Sequence, residues 1–307
     1  MTRETLGRVG IVALPVVLVM ASSSRTQAQA WVPEEGQASI SFFYTHGDVR
    51  YHLFSGDFNA SGVYKGKRRD LGALQSHSMH IALDYGVSSN VALSASIPAI
   101  VSRYDGIRPD NEAVDDGLFR GGFQDFEFKV RYMSVQSPLV VTPFMSVVIP
   151  SHDYETFGHT AIGRDLMELH FGFYLGKLLT FISDNLYTQV GYDFAYVEKH
   201  HDVRVNRSNI DLTLGYFVTP SVTVSTSMSY LKSHGGIDWL DIHNQADLHE
   251  HDRHAAANYL ALGGLVSVAL NDALNFFVGY SGILWGENTH EIRTVAIGSN
   301  WTLQIRE

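Results

Sequence analysis

The chain has 307 residues and no cysteine, which excludes disulfide bonds and thiolate sites. Its 32 acidic and 22 basic residues give a formal net charge of −10. An acidic chain without a basic stripe is unsuited to binding nucleic acid, so we expect no nucleic-acid partner.

The first 30 residues are predicted to be a signal peptide. Two arginines near the start precede an apolar run over 9–20, and Ala28-Gln29-Ala30 supplies small residues for cleavage near Ala30. This apolar run is shorter than the roughly 20 residues that a membrane-spanning helix needs. Cleavage would remove three Arg and one Glu, so the net charge falls from −10 to −12. We therefore predict a signal peptide over 1–30 and one secreted domain over 31–307.

The secreted domain is predicted to be all-β, because apolar and polar residues alternate along segments of about ten residues. Twelve such strands follow one another in the chain, at about 37–46, 76–86, 90–102, 122–133, 139–150, 165–176, 185–197, 206–217, 221–232, 257–270, 273–285 and 290–303.

The connections between these strands are alternately short and long. The short ones include 87–89, 218–220 and 271–272, whereas 47–75 and 233–256 are the longest. Short periplasmic turns opposite long extracellular loops, with an even number of strands, are typical of an outer-membrane β-barrel. The sequence therefore predicts a 12-stranded antiparallel barrel in the outer membrane of a Gram-negative bacterium. A soluble secreted β-sandwich is the alternative. Strands of globular proteins usually have five or six residues, so strands of about ten residues fit a sandwich less well.

The segment 125–132 shows the alternation most clearly. One face carries only apolar side chains and the other only ionic ones: Phe126, Phe128, Val130 and Tyr132 against Asp125, Glu127, Lys129 and Arg131. A strand with these two faces needs two different solvents, which a barrel supplies as lipid outside and a polar lumen inside. Aromatic residues also close several strands at the long-loop rim, as membrane-interface belts do: Tyr44, Tyr104, Tyr196, Tyr230 and Trp285.

The predicted lumen carries the first group of candidate functional residues. They are charged side chains on lumen-facing positions of four strands: Asp125, Glu127, Lys129, Arg131, Glu168, Asp193 and Asp211. Two interpretations stay open, because twelve strands lie between a barrel of eight that side chains fill and one of sixteen that holds a channel. The charges either form a salt-bridged plug or line a selective pore.

Histidines form the second group of candidates. The chain has 15, and the predicted strands place all of them in the extracellular half or its loops. The loop 233–256 interleaves histidines with carboxylates and predicts a site for Zn²⁺ or Cu²⁺ at His243, His249, His251 and His254. A hydrated acidic loop without bound metal is the alternative.

Two weaker patterns complete the candidates. Basic residues in the first long loop, Lys65 and Lys67 to Arg69, suit the phosphates of lipopolysaccharide, although a plain solvated loop is the favoured interpretation. Ser78, His80 and Asp84 face the same side of one strand, which raises the alternative of a barrel hydrolase.

Short motifs add a family resemblance. The run Gly121 to Asp125, leading to Lys129-Val130-Arg131-Tyr132, resembles the Gly-Asp…Arg-Tyr strand of outer-membrane transporters linked to the meta-pathway of phenol degradation. The segments 93–98 and 147–151 are similar to strands of that family that end in proline. The resemblance implies a channel for small, often aromatic, organic molecules and no catalytic activity.

We therefore expect a passive channel for small organic solutes, without a resident cofactor. Outer-membrane lipid, lipopolysaccharide and the solute are the expected partners, and the oligomeric state stays open. The alternatives are a metal-binding protein that uses the histidine-rich loop, or a hydrolase.

Overall fold

A computed structural model of the chain describes residues 29–57, 67–106, 115–242 and 250–305. Thirteen strands dominate these residues: β1 Gln37–Leu53, β2 Arg68–Ser88, β3 Val91–Gly106, β4 Arg120–Phe123, β5 Phe126–Tyr132, β6 Val140–Ile149, β7 Glu168–Leu178, β8 Leu186–Val197, β9 Val205–Thr219, β10 Val222–Gly235, β11 Asn258–Ala269, β12 Leu274–Glu287 and β13 Thr289–Gln304.

The strands form one closed antiparallel ring. Each pairs with its neighbours in the chain, and β1 also pairs with β13, from Gln37 opposite Gln304 to Leu53 opposite Thr289. Because β4 and β5 both pair with β3, they make up a single barrel strand. The prediction of a 12-stranded antiparallel barrel is confirmed. Among the described residues, no helix is long and apolar enough to cross a membrane.

A β-bulge interrupts the strand that was predicted as continuous over 122–133. On β3, Ala99 lies opposite Phe123 but Ser96 lies opposite Glu127, so the β4–β5 side contains one extra residue. The extra residue shifts the alternation, and Gln124 and Asp125 both line the interior although they are adjacent. The predicted pattern holds for β5 itself, in which Phe128, Val130 and Tyr132 are exposed on the outer surface.

The outer surface of the ring is apolar. Its exposed side chains come from every part of the circumference and include Phe42, Met79, Ile81, Leu93, Ile97, Phe128, Val130, Met145, Phe171, Phe173, Ile210, Leu212, Val224, Val266, Phe276, Val278, Val295 and Ile297. Serine, threonine and asparagine residues are buried on the inner surface instead, among them Ser41, Thr142, Ser146, Thr294 and Asn300. This inside-out distribution is the one that a lipid solvent requires.

Two strands extend well past the apolar belt, which corrects one loop prediction. β1 continues to Leu53 and β2 begins at Arg68, so the connection is 54–67 and not 47–75. The extension of β1 carries charged side chains that face outward: those of Asp48 and Arg50 are 58% and 70% exposed. Charges on this surface mark the end of the apolar belt, so β1 beyond Asp48 lies outside the hydrocarbon.

Irregular segments cover the long-loop end of the barrel, and we call them the lid: 150–167, 198–204 and the described parts of 236–257. The lid holds a short 3-10 helix, Trp239–Asp241, and one helical turn, α1, His251–His254. Arg253 joins two lid segments, because its guanidinium donates to Thr156 Oγ1 and to the Asp165 carbonyl, both at 3.1 Å.

Aromatic residues lie at both rims of the barrel, and one predicted member of the long-loop rim faces inward instead. Tyr196 and Trp285 are exposed at the long-loop rim, and Tyr132 and Tyr216 at the short-turn rim. Tyr104 is only 1% exposed, because it faces inward and its hydroxyl donates to the Leu71 carbonyl at 2.7 Å. It supports the lid rather than the membrane interface.

Candidate functional site: the barrel lumen

The described residues enclose two cavities in the lumen, at different heights. The upper cavity, of about 370 Å³, reaches Thr45 and Gly47 on β1, near the long-loop end. The lower cavity, of about 560 Å³, reaches Gln37 and Ser39 on the same strand, near the short-turn end. No residue lines both cavities.

A layer of side chains at mid-height separates the two cavities. Phe43 is buried on β1 and stacks on His80 at 4.5 Å between ring centroids, with Phe277 at 6.2 Å on its other side. On the opposite wall, the ammonium group of Lys129 lies 5.1 Å from the ring of Phe144. Any path through the lumen would therefore run past this layer.

The charged residues of β5 face the lumen but are bound by neighbours. Lys129 Nζ lies 3.0 Å from Glu127 Oε1, and the same carboxylate accepts from Ser146 Oγ at 2.9 Å. Arg131, only 1% exposed, forms an ion pair with Asp84. Buried ion pairs of this kind fix the positions of their members, because a lone buried charge is costly.

Residues 29–33 enter the lower half of the lumen; residues 29 and 30 are the end of the predicted signal peptide, and the rest of it lies outside the described residues. Arg131 Nη1 donates to the carbonyl oxygens of Gln29 at 2.7 Å and Trp31 at 3.0 Å. The amide of Ala30 donates to Gln189 Oε1 at 2.7 Å, and the Ala30 carbonyl accepts from Thr142 Oγ1 at 2.5 Å. The barrel wall thus holds this segment through its backbone, and Arg131 contributes two of the four bonds.

A glycine makes room for the segment. A Cβ atom on Gly176 would lie 2.6 Å from the Cβ of Ala30, closer than real contacts allow. Ala30 is fully buried against Val140, Phe144 and Tyr174. The segment therefore packs into a recess and does not hang free in the lumen.

Glu168 is the centre of a charged cluster in the upper cavity. Its carboxylate pairs with Arg207 of β9, and lies 3.3 Å from Arg164 of the lid and 3.1 Å from His170 Nε2. His170 Nδ1 in turn lies 2.9 Å from Asp193 Oδ2 on β8. The cluster links three neighbouring strands to the lid, and it joins two residues that the sequence predicted separately.

The remaining two predicted lumen residues bind neutral partners. Asp125 accepts a hydrogen bond from the Tyr154 hydroxyl, which also accepts from the Asp165 amide at 2.7 Å. Asp211 accepts from Asn209 Nδ2 and Ser229 Oγ, both at 2.7 Å. All seven predicted residues therefore lie on the inner side of the ring, and their role in selectivity stays a prediction.

The structure does not assemble the serine–histidine–carboxylate arrangement that the sequence left open. His80 stacks on Phe43, and within the described residues no hydrogen bond joins it to Ser78. Asp84 lies six residues after Ser78 on the same strand. Its carboxylate accepts from Arg131 and from Ser94 Oγ instead. A nucleophile needs its base within hydrogen-bond reach, so these residues have the contacts of a structural lumen wall.

The basic run of the first loop is only partly described, since Lys65 lies outside the described residues. Arg68 forms two contacts with Glu291, at 2.5 and 3.0 Å, and stacks over the ring of Tyr51 at 3.3 Å. This guanidinium stabilises the β1–β13 rim, and its binding to lipopolysaccharide stays a prediction.

The predicted metal ligands divide into separate places. His243 and His249 lie outside the described residues, so the loop site stays a prediction. His251 approaches Asp252 and His290, whereas His254 approaches His200 and His201. A third group joins His52, His159 and His290, which are far apart in sequence. Local spacing gave no signal for this group, which closure of the barrel and packing of the lid bring together.

Comparisons with known structures agree on the fold. An outer-membrane channel of the COG4313 group from Pseudomonas putida F1 superposes with a TM-score of 0.68 at 12% identity, over 91% of this chain and 100% of that chain. The translocator domain of the autotransporter NalP from Neisseria meningitidis gives 0.50 at 10% identity, over 88% and 90%. No protein-family model and no curated protein matches the chain.

These likenesses define the class of protein: the chain has the β-barrel fold seen in outer-membrane proteins. Identities of 10–12% show the fold alone, so what crosses the barrel has to be argued from its lumen.

Proposed function

We propose that the protein is a passive channel of the Gram-negative outer membrane for small organic solutes. The observation that carries the proposal is the pair of cavities, lined by both apolar and polar groups, stacked inside a closed barrel whose outer surface is apolar. A closed barrel has no unpaired strand edge, so it is one of the few structures that can span a bilayer. A lumen that crosses a bilayer can carry solutes without any catalytic group, so transport is the function that this architecture favours.

The upper cavity suggests the solute class. Its wall combines apolar side chains of Ile100, Val148 and Ile292 with the ionic groups of Arg164 and Glu168. Pockets with mainly apolar walls and a few placed polar groups favour small molecules that have both characters. The resemblance to transporters of the phenol meta-pathway supports the same class, so we propose aromatic compounds with one polar or charged substituent.

Charge in the lumen favours cations among these solutes. Six carboxylates face the interior in the contacts described above, against four lysine and arginine side chains. A low-dielectric wall focuses such an imbalance into a potential along the path. We therefore propose that an aromatic cation crosses faster than an aromatic anion of the same size.

Solute flux into vesicles tests the proposal. The full-length protein would be reconstituted into liposomes, and the uptake of tyramine, benzoate and arabinose compared. We expect uptake above that of empty vesicles, with tyramine the fastest. Uptake equal to that of empty vesicles for all three solutes would contradict a channel function.

A matched pair of variants separates lumen transport from leakage around the protein. Ser225 lines the lower cavity, whereas its neighbour Val224 is 42% exposed on the outer surface. Ser225→Trp should reduce uptake strongly because it fills the lumen, and Val224→Trp should leave uptake unchanged. Equal uptake by the two variants would place the leak outside the barrel.

A further inference from the structure

His52, His159 and His290 come together beneath the lid from three distant parts of the chain. His52 lies on the extension of β1, His159 on the lid segment 150–167, and His290 at the start of β13. One ring nitrogen of each lies within 4.8 Å of those of the other two. Their ring centroids are separated by 4.5 to 5.7 Å, with edge-to-face rings. Edge-to-face rings allow nitrogen lone pairs to converge on one point.

His52 is the histidine of the three whose ring nitrogens lack hydrogen-bond partners altogether among the described residues. Its side chain is only 3% exposed, and both ring nitrogens are buried. A buried imidazole without a partner is costly, and a metal ion bound to one of its nitrogens would remove that cost.

Asp115 orients His159 in the way that second-shell carboxylates orient metal-binding histidines. His159 Nδ1 lies 2.9 Å from Asp115 Oδ2 and, because a carboxylate only accepts, Nδ1 carries the proton. The Nε2 lone pair is then free to bind a metal ion. Tyr104 stacks flat on the other side of the ring, at 4.0 Å and 8°. Both the tautomer and the orientation of His159 are thus fixed.

The carboxylate itself is held against the lid segment 150–167. Asp115 is 1% exposed and also accepts from the amides of His159 and Thr160, at 3.0 and 3.1 Å. Burial would raise the pKa of Asp115, but these hydrogen bonds hold the pKa below its ordinary value. Gly158, at φ +91°, brings the loop close, since a Cβ there would lie 2.8 Å from Asp115 Oδ2.

A fourth donor and an apolar shell are also present. His251 and Asp252 form a separate group with His290 within the same 4.8 Å limit, so a carboxylate lies beside one of the three imidazoles. Trp239 covers the group, with its ring 5.5 Å from that of His290 and 6.1 Å from that of His52. Such a shell limits the access of water to a metal ion.

We propose that His52, His159 and His290 bind a divalent transition-metal ion of the Zn²⁺ or Cu²⁺ class, with Asp252 as the fourth ligand. Imidazole and carboxylate donors suit these ions. Ligand nitrogens around tetrahedral Zn²⁺ lie about 3.4 Å apart, given Zn–N bonds of about 2.0–2.1 Å. The 4.8 Å limit is close enough for small side-chain rotations to complete the site. A bound ion would tie the lid to β1 and β13.

Metal binding to the full-length protein in detergent tests the proposal, with ZnCl2 alone as the probe and a chromophoric chelator as competitor after treatment with EDTA. We expect one tightly bound Zn²⁺ per chain. His52→Phe and His290→Phe keep the bulk of the rings and should weaken binding at least 100-fold. Asp115→Asn should weaken it about 10- to 100-fold, as loss of a second-shell partner does.

Two control variants distinguish this site from the other histidines. His201→Ala changes the neighbouring histidine group, and a double change of His243 and His249 to Ala removes the predicted loop ligands. Both should bind Zn²⁺ as the parent does. Absence of tight binding in the parent, or its loss in a control but not in His52→Phe, would overturn the proposal.

Cu²⁺ electron paramagnetic resonance provides a second readout that a general loss of folding would not imitate. The parent should show hyperfine coupling from three imidazole nitrogens, and folded His52→Phe, checked by its heat-modifiable migration in gels, should show two. An unchanged spectrum in that variant would also overturn the proposal. Both readouts are independent of transport, so a protein that fails to conduct could still bind metal.

Discussion

Replacement of Arg131 tests how the N-terminal segment is held in the lower lumen. Arg131→Met, made in the uncleaved chain that retains residues 29 and 30, keeps most of the side-chain volume but removes both hydrogen bonds to the carbonyls of Gln29 and Trp31. Bonds from a charged donor contribute about 1.5–3 kcal/mol each, so the segment loses at least about 3 kcal/mol. The bonds from Thr142 and to Gln189 remain and contribute only about 1 kcal/mol each.

The size of the effect follows from this loss. Since about 1.4 kcal/mol corresponds to a factor of ten, the equilibrium between the docked and released segment should shift about 100-fold or more towards release. Release would uncover Val140, which is 6% exposed and packs against Ala30 and Trp31. It would also widen the lower lumen, so solute flux should rise.

Cysteine labelling measures the release directly, because the chain contains no cysteine of its own. Val140→Cys would be protected from a maleimide in the parent and labelled about 100-fold faster with Arg131→Met. Lys129→Met is the matched control, since Lys129 is a buried cation two residues away on the same face that pairs with Glu127. Equal labelling rates in the parent and in Arg131→Met, or equal acceleration by both substitutions, would refute the reasoning.

Three further predictions follow from other parts of the barrel. Glu168→Gln leaves the guanidinium groups around it without their shared carboxylate, so the cation-to-anion permeability ratio from reversal potentials should fall; an unchanged ratio would exclude a role in selectivity. Phe171→Arg places a charge on the lipid face and should lower the free energy of unfolding by about 2–4 kcal/mol in urea titrations, whereas Phe171→Leu should have a small effect. Gly158→Ala introduces a left-handed alanine against Asp115 at a cost of about 1–2 kcal/mol, so hydrogen exchange over 156–162 should accelerate about tenfold; unchanged exchange would contradict the packing described.

The membrane-spanning part of the fold could be predicted because lipid imposes one rule on every strand. Residues such as Phe128 and Val130 must face outward while Lys129 and Arg131 face inward, and the twelve strands follow from that alternation alone. Beyond the bilayer the rule no longer applies. Asp48 and Arg50 face water on the extension of β1, so the sequence there looks like a loop although the ladder continues.

The arrangement of the site could be predicted only in part, because closure and loop packing join distant residues. The alternation indicates that Arg131 faces inward, but it contains no sign that Arg131 binds the backbone of residues 29 and 31. Likewise, the dense histidines of 233–256 predict a metal site within that one loop. The group of His52, His159 and His290 depends on the pairing of β1 with β13 and on a lid contact, neither of which local spacing records.

Single-channel recording tests the central claim, a solute path through the lumen, most directly. The full-length protein in a planar bilayer with a KCl gradient should give discrete current steps with cation preference. That preference should weaken as ionic strength rises, because salt screens the carboxylates of the lumen. Ser225→Trp should remove the current and Val224→Trp should retain it. Absence of current from correctly folded protein, or current that survives Ser225→Trp undiminished, would contradict the account.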